Sequence, residues 1–161
     1  MTDVCDLPTT DAGWREPAVI RRLLTTPATW AVVGLSNNTA RTAHGIARFL
    51  HARLGMNIVP VHPRAETVDG IRGFARLADI PSPGEDGSPG PIDVVDCFVN
   101  SSRVGNVIDE AIAEADRLGI RAVWLQLGII DQAAATRARK AGLDVVMDTC
   151  PAIEAPRLRL Q

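Results

Sequence analysis

Tyrosine is absent from the chain. That excludes a Tyr–Lys pair for hydride chemistry, and the aromatic set is limited to three Phe and three Trp. Cysteine is scarce. Cys5, Cys97 and Cys150 are odd in number and widely spaced, with no CxxC and no Cys/His cluster. Neither a disulfide framework nor a structural zinc site is expected. No run of about 18 apolar residues occurs, so no membrane span is expected. Met1 to Asp11 carries Asp3, Asp6 and Asp11 without Lys or Arg, unlike a signal peptide, and the expected location is the cytoplasm. There is no large basic block, and the formal net charge is -2. A surface built to coat nucleic acid is therefore excluded, although a local basic pocket for one small anion is not.

What remains is an ordinary globular composition, 46% hydrophobic and 22% charged over 161 residues. The length suits one domain with a real core. Pro17 to Thr25 reads as a short helix ended by Pro27. Thr29 to Gly34 is an apolar, β-branched run closed by Gly, the pattern of a buried strand. Ala43 to Leu54 has helical spacing, with Gly55 as its cap. Asn57 to Val61 is a second strand, broken by His62-Pro63. Glu66 to Ile80 is irregular, an extended piece followed by a helical turn. Ser82 to Pro91 is almost all Pro, Gly, Ser and acid, a flexible surface loop.

The same alternation continues. Ile92 to Val99 is a strand and Val104 to Leu118 a helix. Arg121 to Leu125 is a strand. Asp131 to Lys140 is an Ala-rich helix with Asp131 as N-cap. Leu143 to Met147 is the fifth strand. The Pro-containing tail from Cys150 to Gln161 reads as extended. Strands alternating with helices predict an α/β, Rossmann-like three-layer fold with a mainly parallel five-stranded sheet. Residues 1–161 are expected to form one domain, with 1–28 as an N-terminal helical extension and 82–91 as the loop.

In such sheets ligands bind at the carboxyl ends of the strands, near the point where strand order reverses. That directs attention to Gly34 to Arg41, His62 to Arg64, Phe98 to Arg103, Gln126 to Ile129 and Asp148 to Pro151. In the first stretch, Gly34 lets the backbone approach an anion. Ser36, Asn37, Asn38 and Thr39 can hydrogen-bond phosphate oxygen, and Arg41 can add a charge. The same residue types also make an ordinary polar turn. The GxGxxG fingerprint is missing, since Ser36 and Thr39 stand where Gly should. Also missing is the acid at the end of strand two, where the sequence is Val61-His62-Pro63-Arg64. Basic groups there suit a phosphate on the ribose. NADP and coenzyme A both carry one, and the residues alone do not choose between them.

The chain resembles the small bacterial CoA-binding proteins, a family related to the nucleotide-binding domain of succinyl-CoA synthetase α chains. The resemblance runs from about Trp30 to Leu158. It rests on five pieces in order. These are Ala31-Val-Val-Gly-Leu-Ser36 with Arg41, Ile58-Val-Pro-Val-His-Pro63, and Asp93-Val-Val-Asp-Cys-Phe98. The others are Val123-Trp-Leu-Gln-Leu-Gly128, and Val145-Val-Met-Asp-Thr-Cys-Pro151 with Ile153-Glu154 following. The resemblance implies coenzyme A as ligand. The diphosphate would lie on the turn of Gly34, Leu35 and Ser36 with Arg41, next to Asn37. The adenosine and its 3′-phosphate would lie by His62, Pro63 and Arg64, with Phe98 and Val99 on the adenine side. The pantetheine arm would run toward Gln126, Leu127 and Gly128, with Cys150 near the same crevice.

Two departures remove positive charge. The family often has Arg after the strand-three Phe and before Cys-Pro, where this chain has Val99-Asn100 and Thr149. Arg103 is the candidate replacement. No residue pairs His44, His51 or His62 with Cys150, so no catalytic group is assigned. Asp148 reads as a turn residue. The expected function is binding of coenzyme A or an acyl-CoA as a non-catalytic carrier, sensor or regulatory module; such small sheets often pair as homodimers, and the residues do not fix the oligomeric state. The alternatives are an NADP-binding oxidoreductase and the CoA-site subunit of a larger acyl-CoA ligase.

Overall fold

The computed structural model describes residues 13–160. Asp3, Asp6, Asp11 and Cys5 lie outside the described residues. The elements are α1 (Pro17–Thr25), β1 (Thr29–Val33), α2 (Thr42–Leu54), β2 (Asn57–Val61), a 3-10 turn (Leu77–Asp79), β3 (Val94–Cys97), α3 (Ser101–Leu118), β4 (Ala122–Leu125), α4 (Gln132–Lys140), β5 (Asp144–Met147) and α5 (Pro151–Arg157). All neighbouring strands pair in parallel, in the order β2-β1-β3-β4-β5. The Rossmann-like α/β arrangement predicted from the apolar runs is therefore the one observed. From β1, second in the sheet, the chain turns one way to the edge strand β2 and then crosses back to β3. The order reverses between β1 and β3, where two loops diverge and leave a crevice.

Each strand alternates its side chains between two buried faces. Ala31, Val33, Val95, Cys97, Val123, Leu125 and Val145 face α3 and α4. Trp30, Val32, Val94, Trp124 and Val146 face the other way, with Leu24 of α1, Leu50 of α2 and Ala155 of α5. Trp30 and Trp124 meet across β3 with ring centroids 5.6 Å apart. Burial on both faces explains why the strands read as continuous apolar runs.

Two segments differ from the pattern reading. The tail is helical over Pro151–Arg157, not extended. Pro151 occupies the first turn, where its missing N–H costs nothing. Thr149 Oγ1 donates to buried Glu154 Oε2, and the Ile153 and Glu154 N–H groups donate to Cys150 O. The irregular stretch after β2 has a defined job. Phe74 bridges in parallel to Val61; His62 N–H donates to Phe74 O at 2.9 Å, and Phe74 N–H to Pro60 O at 3.0 Å. This return covers the β2 edge and brings Ala75 and Arg76 over the sheet. The 82–91 stretch is built from turns, and Arg117 of α3 donates to Ile80 O at 2.6 Å beside it. Among the described residues, no helix is long and apolar enough to cross a membrane.

Candidate functional site

A cleft of about 920 Å³ opens at the carboxyl ends of β1, β2 and β3, where the strand order reverses. Gly34 forms its floor. Its N–H donates to Val61 O at 2.7 Å, and its φ is +104°. A Cβ there would lie 2.8 Å from Phe98 O. Three strand ends converge on this one residue. Beyond it the turn is held by its own side chains. Ser36 Oγ accepts from Asn38 N–H at 3.2 Å, and Asn38 Oδ1 accepts from Ala40 N–H at 3.0 Å.

Four guanidinium groups line the cleft, those of Arg41, Arg64, Arg76 and Arg103, against one carboxylate, Glu110. The whole chain is net negative, so the cleft is a local reversal of sign that attracts an anion. Arg76 pairs with Asp79 at 3.1 Å, and Arg64 lies 3.7 Å from Glu66. Arg41 and Arg103 have no ion-pair partner among the described residues. They sit where α2 and α3 begin, and neither helix has a side-chain N-cap. α1 and α5 also lack a side-chain N-cap, and α4 is capped by Asp131 Oδ1 on Ala134 N–H. Uncapped helix N-termini with a cation beside each are suited to phosphate.

His62 Nδ1 accepts from Arg64 N–H at 3.2 Å, which leaves Nε2 as the ring's N–H donor. No acid stands at the end of β2. The first carboxylate beyond it, Glu66, is turned toward the β1–α2 loop, where its Oε1 accepts from Asn37 N–H at 2.8 Å. That hydrogen bond holds the Glu66 carboxyl below the usual carboxylate range. The carboxylate is therefore already engaged and is not the ribose-binding acid of a dinucleotide site.

The cleft brings together Gly34, Ser36, Arg41, His62, Pro63, Arg64, Phe98, Val99 and Arg103. The other candidates are not in its lining. Leu35 is buried in the core, and Asn37 is bonded to Glu66 and Thr67 O. Gln126 is buried, its Nε2 donating to Asp96 Oδ1 at 2.6 Å. Gly128 N–H donates to Asp148 Oδ1 at 2.8 Å, a turn bond that accounts for Asp148. Cys150 is buried among the side chains over Trp124, and burial pushes its thiol up from the ordinary value. Thr149 is buried as well, with its carbonyl accepting from Trp124 Nε1. Arg76, Asn106 and Glu110 line the cleft although the sequence did not single them out. For the last two a signal exists. Arg103, Asn106, Val107 and Glu110 share one helical face. Arg76 offers none, because the Phe74–Val61 bridge places it.

Fold and cleft define a Rossmann-like α/β protein with a cation-lined crevice at the strand reversal. The chain belongs to the CoA binding domain family, whose model matches residues 28–156. The uncharacterized protein YneT of Bacillus subtilis (strain 168) is 30% identical over 133 residues, 83% of this chain and 89% of that protein. A solved structure of a hypothetical protein from Pyrococcus horikoshii OT3 is 28% identical with a TM-score of 0.77, covering 97% of this chain and 99% of its own. The PH1109 protein redesigned for binding is 31% identical with a TM-score of 0.75, covering 89% and 92%.

Proposed function

We propose that this chain binds coenzyme A, free or as an acyl thioester, and serves as a carrier, sensor or regulatory module rather than as an enzyme. The observation that carries the reading is the placement of cations. His62 and Arg64 stand at the end of β2, where a dinucleotide site needs an acid, in a chain of the CoA binding domain family. The diphosphate lies over Gly34 and Ser36 between Arg41 and Arg103. The 3′-phosphate lies by His62 and Arg64, and the adenine against Pro63, Phe98 and Val99. The pantetheine arm leaves toward Gly128 and Leu127, a residue 61% exposed. Membership of the family supports the choice of coenzyme A over NADP.

Calorimetry with coenzyme A, dephospho-coenzyme A, NAD and NADP tests this. Coenzyme A is expected to bind at least ~10-fold tighter than the dephospho form, the worth of one charge-assisted phosphate contact. NAD should bind weakly or not at all. Arg64→Ala is expected to bring the two coenzyme A forms within about twofold of each other. Binding of NADP alone would overturn the assignment. Discrimination that survives Arg64→Ala would place the 3′-phosphate elsewhere.

A further inference from the structure

Glu66 ties together two walls of the cleft that come from different parts of the chain. Its Oε1 accepts from both Asn37 N–H at 2.8 Å and Asn37 Nδ2 at 3.1 Å, and Nδ2 also donates to Thr67 O at 2.8 Å. Its Oε2 lies 3.7 Å from Arg64 Nη1. The backbone of Glu66 is itself wedged, because a Cβ on Gly73 would come within 2.1 Å of Glu66 O. One carboxylate thus reaches the phosphate turn with one oxygen and a cleft cation with the other. The cation needs holding, since the Arg64 side chain is 79% exposed while that of Glu66 is only 22% exposed. A long, solvated Arg loses rotamer freedom when it grips a phosphate.

We propose that Glu66 is a positioning residue for the anion site, fixing the β1–α2 turn against the β2 loop and holding Arg64 ready for a phosphate on the ribose. The inference rests on the coenzyme A reading. The 3.7 Å separation decides between holding and blocking. It is longer than a hydrogen bond, so the guanidinium N–H groups are restrained in place but not consumed. Glu66 also takes the Asn37 N–H out of the set a diphosphate can use. The ligand is left with the helix starts beside Arg41 and Arg103.

Two variants separate the two roles. Glu66→Gln keeps a carbonyl oxygen for Asn37 but has no charge to offer Arg64. Glu66→Ala loses both. Affinity for coenzyme A and dephospho-coenzyme A is measured by calorimetry on wild type and both variants, with thermal melts confirming folded protein. Glu66→Gln is expected to leave dephospho-coenzyme A affinity within about twofold. It should reduce the preference for coenzyme A by about two- to fivefold, the range an exposed ion pair supports. Glu66→Ala is expected in addition to weaken both ligands by about tenfold, as the turn loses its hydrogen bonds. An unchanged preference in Glu66→Gln overturns the proposal, and a raised one shows that Glu66 competes with the ligand. Equal affinities in the two variants overturn the role of the Asn37 tie. If wild type itself shows no preference for coenzyme A, the functional reading fails first, and this inference falls with it.

Discussion

Gly34→Val is expected to abolish ligand binding and to lower stability by about 2–4 kcal/mol. Both effects come from one location. The backbone of Gly34 has φ +104°, which a β-branched residue adopts only under strain. The new Cβ would meet Phe98 O at 2.8 Å and Phe98 Cβ at 3.0 Å. The first of these neighbours is backbone at the end of β3, so it cannot swing aside as a flexible side chain would. Relief requires β1 and β3 to separate at the point where the cleft opens. Strain of this kind costs about 1–3 kcal/mol and overpacking a similar amount. Urea denaturation measures the stability loss, and calorimetry with coenzyme A measures binding. Gly34→Ala should show the same pattern at reduced size, because it keeps the unfavourable φ but adds one methyl group. Binding at wild-type affinity in the valine variant would mean that the ligand does not lie over this turn.

Gly34 also shows what made half of the site legible in the sequence. A buried parallel strand is an apolar run, and its end is marked by the first Gly or polar residue. The run from Thr29 to Val33 therefore gave both the strand and the floor of the cleft. The same logic locates His62 beyond β2, whereas at β3 the apolar run reaches Val99 but the strand ends at Cys97, which frees Phe98 to line the cleft. Helical spacing found α2 and α3, and so placed Arg41 and Arg103 near helix starts. The other half depends on pairing that leaves no periodic trace. The segment from Glu66 to Phe74 alternates neither at two residues nor at 3.6. Its course is set by the Phe74–Val61 bridge and by the contact of Gly73 with the Glu66 backbone. That course delivers Arg76 and turns Glu66 toward Asn37. The tail is another such case, since its two prolines predict extension. Pro151 in fact starts the helix, and Thr149–Glu154 and Ala155 anchor it. Gln126, whose position after β4 marked it as a ligand contact, spends its amide on a buried carboxyl group.

That carboxyl group carries the second large expectation. Asp96 lies in the middle of β3, opposite Val32 of β1 and Trp124 of β4, with no exposed surface. Its Oδ1 accepts from Gln126 Nε2 at 2.6 Å, while its Oδ2 is buried with no hydrogen-bond partner. Burial penalises the ionised form and raises its pKa from 3.8 to about 7, partly offset by the Gln126 hydrogen bond. In the unfolded chain the group ionises near its ordinary value. Between these two values the folded protein retains a proton that the unfolded chain has released, so stability falls as pH rises. The window of about 3 pH units is worth about 4 kcal/mol, fully lost above pH ~7. Asp96→Asn retains an acceptor for Gln126 and cannot ionise. The stability of wild type relative to Asp96→Asn is therefore expected to decline by about 4 kcal/mol between pH 4 and 7 and to level off above that. Urea titrations of both proteins across this range measure it, and taking the difference cancels the titration of every other group. A flat difference would mean that Asp96 is ionised in the folded protein, with Oδ2 reached by solvent or by a cation. A decline would establish that β3 carries a neutral acid into its core, two residues before Phe98 enters the cleft.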